Sequence, residues 1–207
     1  AVPAQVTWSA GARAHVVFAA TVPAVGLAVY DVRPAAAAGD GGALRVSAEG
    51  LENEHYRVTV DADGNVASIV DKATGRELLS APLKLQLLRN QPRNWPEWEI
   101  EYDDLLAAPA VEVGGPARVR VVEAGPARVA LEIERRAAGS TFVQRVRLGA
   151  GDAGRRVEIL NELDWRSGAM LLKAAFPLTA GGPQATYDLG CGTIARGNNR
   201  PELYEVP

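Results

Sequence analysis

Apolar and polar residues alternate with a period of two along most of the chain, a pattern typical of β-strands with one buried face. The clearest stretch starts at His55 and reads Tyr-Arg-Val-Thr-Val over residues 56–60. The Asp-Gly-Asn sequence at 63–65 suits a tight turn, because Gly and Asn tolerate positive φ angles. Alternation resumes over 66–70, and a second turn at 73–75 follows. This part of the sequence predicts a meander of three short strands.

Longer alternating stretches fill the middle of the chain. They lie at 118–122, 128–134, 141–148 and 155–163. Their Arg and Glu residues are expected on the solvated outer face of a sheet, without a catalytic role. No helical pattern is long enough to cover a parallel sheet, and a short helical turn is expected only at Asp103–Ala108. We therefore predict an all-β fold, an antiparallel β-sandwich.

One break in composition suggests a domain boundary. Residues 34–42 contain only Pro, Ala, Gly and Asp, so they are interpreted as a linker or a long surface loop. A short β-rich unit with Val16–Phe18 and Val22–Tyr30 precedes this break, and about 33 residues are too few for an independent core. We assign 1–45 to part of a small β domain plus linker. Residues 46–207 are assigned to a large β-sandwich domain, which we expect to be truncated at its C-terminal end.

Composition and charge narrow the classes of function. The chain is 47% hydrophobic and 23% charged, which supports a buried core. A formal net charge of -3 with scattered basic residues argues against nucleic acid and anionic membranes as partners. No apolar run approaches the roughly 20 residues that span a bilayer. The single cysteine, Cys191, excludes an internal disulfide, favours a cytoplasmic location and is interpreted as a small packed residue.

Metal-binding and nucleophilic patterns are sparse in this sequence. His15 and His55 are the two histidines, and neither lies in a His-x-His or His-Glu-x-x-His spacing. There is no Gly-x-Ser-x-Gly elbow or phosphate loop, and Cys191 has no histidine near it in sequence. We therefore expect no catalytic residue, metal ligand or cofactor in this chain. The chain starts Ala-Val-Pro without a Met or a secretory leader, and we interpret it as a section of a longer protein.

Residues 94–104 form the most chemically suggestive segment, with three large aromatic residues and five acids. Aromatic faces stack on the C–H surfaces of sugars and carboxylates bind their hydroxyls, so this composition suits a carbohydrate-facing loop. The candidate substrate-binding residues are Trp95, Trp98, Tyr102 and Asp103. In the alternative interpretation, the tryptophans anchor a long loop onto the sheet while the acids face water.

A second candidate loop follows a short Gly-punctuated stretch at 190–195. It contains Arg196, Asn198, Asn199 and Arg200, which together offer many hydrogen-bond donors to a glycan or a neighbouring domain. The alternative is a solvated turn between two strands.

Several motifs, taken in order, resemble a known family. The Leu-Glu-Asn start at 51–53, the Asp-Gly-Asn turn at 63–65 and the Asp-Lys-Ala-Thr-Gly-Arg-Glu sequence at 71–77 resemble the opening of the large β-domain in α-mannosidases of glycoside hydrolase family 38. Further similarity to bacterial members covers segments 2–5, 22–26, 95–104, 171–177 and 192–194. The loop at 95–99 departs from their usual Trp-Asp-Ala-Trp-Asp, since it reads Trp-Pro-Glu-Trp-Glu.

This resemblance implies a twisted sandwich similar to galactose mutarotase. It also implies a parent enzyme that is a retaining, zinc-dependent mannosidase, whose nucleophile and zinc ligands come from an N-terminal catalytic domain outside this chain. The β-domain would pack on that domain, border the sugar cleft and contact mannose-containing glycans. The leading hypothesis is thus a non-catalytic β-sandwich region of such an enzyme. The alternatives are a free-standing carbohydrate-binding module and a structural domain that self-associates through exposed sheet edges.

Overall fold

The computed structural model describes residues 2–33, 42–95 and 98–197. The chain divides into two compact units, Ala1–Pro177 and Leu178–Pro207. The larger unit contains nearly all of the strands, and the smaller unit is described separately below. The expected linker at 34–42 lies outside the described residues except for Gly42, and the proposed boundary at residue 45 stays a prediction.

An N-terminal hairpin opens the larger unit. Strands β1 (Ala4–Ala10) and β2 (Arg13–Phe18) pair antiparallel. The Gln5 carboxamide oxygen attaches this hairpin to the sandwich, because it accepts hydrogen bonds from the backbone N–H groups of Ala127 (3.0 Å) and Arg128 (2.9 Å). The expectation of strand structure at Val22–Tyr30 is wrong: these residues pair with no strand of the described chain.

The first large sheet has five strands in sequential order, and the last three of them are the predicted meander. Its strands are β3 (Arg45–Ser47), β4 (Gly50–Glu52), β5 (Tyr56–Val60), β6 (Val66–Asp71) and β7 (Arg76–Glu77). The predicted turn between β5 and β6 contains Gly64, with φ of 78°. A Cβ at this position would lie 2.7 Å from the Ile133 side chain, so the turn needs glycine for its close packing as well as for its backbone angle.

A separate three-stranded sheet follows. Strand β8 (Lys84–Arg89) lies between β9 (Val111–Val113) and β14 (Met170–Ala175). Between β8 and β9 the chain forms the short helix α1 (Tyr102–Leu106), one residue earlier at its start than expected and two residues shorter at its end.

The facing layer is a four-stranded antiparallel sheet. Its strands, in spatial order, are β10 (Arg118–Ala124), β11 (Arg128–Ala137), β12 (Ser140–Gly149) and β13 (Glu158–Asp164). A two-residue turn with positive φ at Ala138 (47°) and Gly139 (81°) joins the central strands β11 and β12. A 3-10 helix at Gly151–Gly154 precedes β13, so this strand begins three residues later than the alternation predicts.

Two apolar clusters lie on the inner face of the four-stranded sheet. The larger joins that sheet to the five-stranded one, and the smaller joins Phe142 to Leu85, Leu87 and Val113 of the three-stranded one. These contacts confirm the predicted all-β sandwich.

The smaller unit contains one hairpin, formed by β15 (Gln184–Asp188) and β16 (Thr193–Gly197). The interpretation of Cys191 as a packed residue is wrong, because its thiol is exposed in the turn of this hairpin, where Gly190 has φ of 79°. Its two sequence neighbours, Gly190 and Gly192, have no side chains to cover it.

Candidate functional site

The tryptophan-rich loop leaves the end of β8 and presents its aromatic side chains to solvent. Trp98 is 87% exposed and Trp95 is 65% exposed. The Trp95 carbonyl accepts hydrogen bonds from the N–H groups of Trp98 (2.8 Å) and Glu99 (3.0 Å). Trp95 itself adopts φ of 44°, which is unusual for a bulky side chain. The interpretation that both tryptophans anchor the loop onto the sheet is therefore wrong.

Helix α1 follows this loop and carries two more of the candidate residues. Tyr102 is 39% exposed, and Asp103 and Asp104 lie in the first turn of the helix. Glu101, directly before the helix, accepts a hydrogen bond from the Arg93 N–H at 3.2 Å. The structure thus places Trp95, Trp98, Tyr102 and Asp103 on one exposed connection, but no two of these aromatic rings are in contact within the described residues.

The second candidate loop is described only at its start. Arg196 lies in β16 opposite Ala185 and is partly buried. Asn198, Asn199 and Arg200 lie outside the described residues, so their role stays a prediction.

The described residues do not suit a zinc ion. Across 2–33, 42–95 and 98–197, no three His, Cys, Asp or Glu side chains come together. His15 stacks against Trp8, with ring centroids 4.8 Å apart. His55 places its Nε2 atom 3.1 Å from the Gly151 carbonyl oxygen. Both histidines thus make structural contacts.

A buried arginine is the main polar feature that sequence reasoning missed. Arg135 lies on the inner face of β11 and is 1% exposed. Its guanidinium donates to the Asn65 side-chain oxygen (3.0 Å), the Val113 carbonyl (3.2 Å) and the Gln144 side-chain oxygen. These three acceptors are neutral. Burial therefore lowers the pKa of Arg135, and the Asp61 carboxylate opposes this shift.

The acceptors of Arg135 are themselves held by neighbouring polar groups. Asn65 donates its amide N–H to the Asp61 carboxylate at 3.1 Å, and the Gln144 amide donates to the Asn161 side chain at 2.9 Å. The strand alternation contained the signal for this inward orientation. Val129, Leu131 and Ile133 point into the core, and position 135 continues the same series.

The Leu-Glu-Asn motif also has a structural explanation. Asn53 is 0% exposed. Its amide nitrogen donates to the carbonyls of Gly149 (3.0 Å) and Gly154 (2.9 Å), and its side-chain oxygen accepts from the N–H groups of His55 and Tyr56. All the hydrogen-bonding capacity of this carboxamide therefore joins the start of β5 to the loop after β12.

The Asp-Lys-Ala-Thr-Gly-Arg-Glu motif extends this set of cross-links. Lys72 donates to the Glu52 carboxylate (2.8 Å) and to the Asn53 carbonyl (2.7 Å). Glu77 accepts from the Ser68 hydroxyl and from the N–H groups of Ile69 (2.9 Å) and Leu79 (2.8 Å). Burial acts to raise the pKa of Glu77, but these hydrogen bonds outweigh it and the pKa is lowered. The motif residues Lys72 and Glu77 thus hold strands together.

The outer face of the four-stranded sheet carries paired charges. Glu132 is 7% exposed and accepts from Arg145 Nε at 2.8 Å and from Arg120. The expectation that these charges are fully solvated is therefore wrong for Glu132, because two long arginine side chains cover it. Burial acts to raise the pKa of Glu132, but its two guanidinium partners reverse the direction and lower it. Arg120, Arg145, Glu132 and Glu162 thus form a connected set of ion pairs on this face.

Together these features define an all-β sandwich. Its Leu-Glu-Asn and Asp-Lys-Ala-Thr-Gly-Arg-Glu motifs hold strands together, and its exposed aromatic residues include those of a tryptophan-rich loop. The chain belongs to glycosyl hydrolases family 38: the family model for the C-terminal domain matches residues 51–207. It is similar to alpha-mannosidase 2C1 from Mus musculus, with 28% identity over 150 residues. That match covers 70% of this chain and 14% of the length of the mouse protein.

No helix in the described residues is long and apolar enough to cross a membrane. The cytoplasmic location stays a prediction.

Proposed function

We propose that this chain is the non-catalytic β-sandwich region of a retaining, zinc-dependent α-mannosidase. The observation that carries the proposal is the family match over residues 51–207. The similarity to a protein named alpha-mannosidase supports the substrate class. In this proposal, an N-terminal catalytic domain of the same polypeptide supplies the nucleophile and the zinc site.

The division of labour is supported by the side chains of the sandwich itself. Several acids and a histidine of the larger unit are engaged in cross-links. They are Glu52, Glu77, Glu132 and His55. A glycosidase needs two carboxyl groups facing each other across a cleft, roughly 5–9.5 Å apart. The sandwich instead pairs its buried carboxylates with cations or backbone N–H groups, which suits a supporting role.

The tryptophan-rich loop is the part of the sandwich that we propose to border the sugar cleft. Trp95 and Trp98 expose large aromatic faces, and Tyr102 and Asp103 follow on α1. Aromatic faces with nearby carboxylates suit the C–H surface and the hydroxyls of a mannose ring. Arg196, Asn198, Asn199 and Arg200 are the second set of residues proposed for this role.

An activity assay on the isolated chain tests the non-catalytic assignment. With zinc supplied, the chain should release no product above blank from an aryl α-mannoside. Robust hydrolysis that depends on the chain concentration would overturn the proposal.

A free-standing carbohydrate-binding module is the second candidate, favoured by the 87% exposure of Trp98. Titration with mannose-containing oligosaccharides, followed by tryptophan fluorescence, separates the two functions. Saturable binding that is lost in Trp98→Ala and kept in Trp8→Ala supports the module. Absence of binding favours the cleft-bordering role. A loop that lines only one side of a sugar cleft makes too few contacts to bind the sugar by itself. Trp8 is the matched control, since it is an exposed tryptophan on the N-terminal hairpin.

A further inference from the structure

The tryptophan-rich loop keeps two large apolar side chains in solvent, where burial would be more favourable. Trp95 and Trp98 are 65% and 87% exposed. Trp95 also has φ of 44°, a left-handed conformation that is costly for a bulky side chain. Backbone strain of this kind persists only where surrounding contacts impose it. Some contact of the loop must therefore hold the two tryptophans in this conformation.

Two sets of hydrogen bonds hold the loop. The first set is internal, because the Trp95 carbonyl accepts from the N–H groups of Trp98 (2.8 Å) and Glu99 (3.0 Å). The second closes the base of the loop, where the Glu101 carboxylate accepts from the Arg93 N–H at 3.2 Å, across eight positions of the chain. Within the described part of the loop, Glu101 is thus the side chain that joins its end to its start.

Glu101 is the fixed partner in this contact. Its own carbonyl accepts from the N–H groups of Asp104 (3.1 Å) and Leu105 (3.3 Å) at the start of α1, and this helix contacts β8. The Glu101 side chain is 36% exposed, whereas that of Arg93 is 86% exposed. The carboxylate is therefore attached to the sandwich and can hold the exposed start of the loop.

Glu101 contacts Arg93 in two ways, and the hydrogen bond is the more important one. The ion pair with Arg93 Nε spans 3.8 Å and has one partner almost fully in solvent, so it contributes little. A carboxylate bonded to a backbone N–H restrains the chain itself, and its charge strengthens the bond. The bond also closes a short loop, which removes conformations that the loop would otherwise lose on binding a ligand.

We propose that Glu101 is the positioning residue of the tryptophan-rich loop. Through the backbone of Arg93, it holds Trp95 and Trp98 in the exposed conformation that receives a sugar. The sugar as ligand rests on the proposed function, and the positioning rests on the hydrogen bonds of the loop itself. Glu101 acts by preorganisation, because a loop that is already ordered loses less entropy when the sugar binds.

Hydrogen exchange at the Trp98 and Glu99 amides, measured by NMR on this chain, tests the positioning without any ligand. Glu101→Ala should speed exchange at both amides by about threefold or more, as expected for the loss of one hydrogen bond. Glu101→Gln should bring both rates back to within about twofold of the parent chain, because a carboxamide oxygen accepts from the same N–H.

Glu112→Ala is the matched control. It removes a carboxylate of the same sheet that is 48% exposed and paired with Lys84 at 2.6 Å. Loss of this ion pair lies outside the loop, so exchange at Trp98 and Glu99 should stay unchanged. Far-UV circular dichroism of the variants at Glu101 and Glu112 should match that of the parent chain, because both side chains are partly in solvent.

Mannoside hydrolysis by the complete enzyme of the proposed function tests the connection to the sugar. Glu101→Ala should raise KM for an aryl α-mannoside by about threefold or more, with kcat within about twofold of the parent enzyme. Glu101→Gln should recover most of this loss, and Glu112→Ala should leave both constants unchanged. A lower kcat with unchanged KM in Glu101→Ala would contradict the positioning of a bound sugar.

The exchange rates also define the results that would overturn the proposal. Unchanged exchange in Glu101→Ala, or equal acceleration in Glu112→Ala, would show that Glu101 does not hold the loop. Exchange in Glu101→Gln as fast as in Glu101→Ala would reject the bond to the Arg93 N–H as the cause. A complete polypeptide that hydrolyses no α-mannoside would overturn the proposed function, and with it the sugar as ligand, while the exchange rates still decide the positioning.

Discussion

Arg135 places a charge in the core with no carboxylate among its hydrogen-bond acceptors. Its three hydrogen-bond acceptors are neutral, and removal of the guanidinium would leave all three buried without a donor. We predict that Arg135→Met lowers the free energy of unfolding by about 2–4 kcal/mol, even though the methionine side chain fills similar space. Urea unfolding at neutral pH measures this change.

The neighbouring residue provides the control for this substitution. Arg136 lies on the opposite face of β11, and its side chain is 77% exposed in a pair with Glu134. Arg136→Met should change the free energy of unfolding by about 0.5 kcal/mol or less. Equal losses in the two variants would show that the buried hydrogen bonds contribute nothing specific to stability.

Ala138 is strained by its place in the turn between β11 and β12. Its φ of 47° lies in the left-handed region, where Asn and Gly are favoured in two-residue hairpin turns. We predict that Ala138→Asn raises the free energy of unfolding by about 0.5–1 kcal/mol. Ala73→Asn changes a turn residue without positive φ and should give no such gain. A gain of the same size at both positions would rule out relief of backbone strain as the cause.

The start of β5 and the loop after β12 depend on each other through Asn53. Asn53→Ala removes two donated and two accepted hydrogen bonds at a fully buried position. The expected result is a loss of about 2–4 kcal/mol in the free energy of unfolding. Faster hydrogen exchange should appear at the amides of residues 150–156.

Glu54→Ala alters the next residue, whose side chain is 39% exposed, and is the control. It should leave exchange in the loop at 150–156 unchanged. If Asn53→Ala destabilises the chain without faster exchange in that loop, the cross-link does not hold the loop in place.

At the level of strands, the alternation of apolar and polar residues predicted most strands of the sandwich. A strand that packs on a core turns every second side chain inward, so its apolar residues must alternate with polar ones. The hairpin of β11 and β12 and the meander of β5 to β7 lie where the period of two places them. The prediction of strand structure at Val22–Tyr30 is wrong for a physical reason. Local sequence gives this stretch the composition of a strand, but a strand also needs a neighbour to pair with, and only the fold supplies one.

The candidate site was predictable only in part. Composition singled out Trp95 and Trp98, and both are exposed in the structure, while their contact with a sugar stays a prediction. The cross-linking role of Asn53 and Lys72 could not be predicted, because the residues to which they connect across the fold lie 19 or more positions away in the chain: Gly149 and Gly154 for Asn53, Glu52 and Asn53 for Lys72. The alternation of inward and outward positions in β11 could have placed Arg135 on the inner face. It was not predicted because arginine is usually found on protein surfaces.

For the molecule as a whole, acid stability should follow the carboxylates that the fold holds ionised. The pKa values of Glu52, Glu77 and Glu132 are all lowered from the ordinary value of 4.5. A carboxylate whose pKa is lowered by folding stabilises the folded chain at pH values above its ordinary pKa. That contribution is lost as the pH falls through the pKa in the folded chain. We therefore expect the free energy of unfolding to decrease as the pH drops from about 6 to 3.

Glu132→Gln tests the largest group of charges in this set. The variant should be less stable than the parent chain at pH 7, and its stability should depend less steeply on pH between about 6 and 3. Glu162→Gln, at a side chain that is 72% exposed, should follow the parent curve. Parallel curves for the parent chain and Glu132→Gln would contradict the assignment.

The guanidinium between the two apolar clusters has a consequence for how faithfully the sandwich assembles. A slip of one residue in β11 would turn Glu134 or Arg136 inward, because neighbouring residues of a strand face opposite ways. Glu134 would bring a carboxylate among three acceptors with no donor for any of them. Arg136 would bring a guanidinium displaced by one residue from Asn65, Val113 and Gln144. A hairpin paired one residue out of register would therefore lose the buried hydrogen bonds of Arg135, so this residue favours the native register.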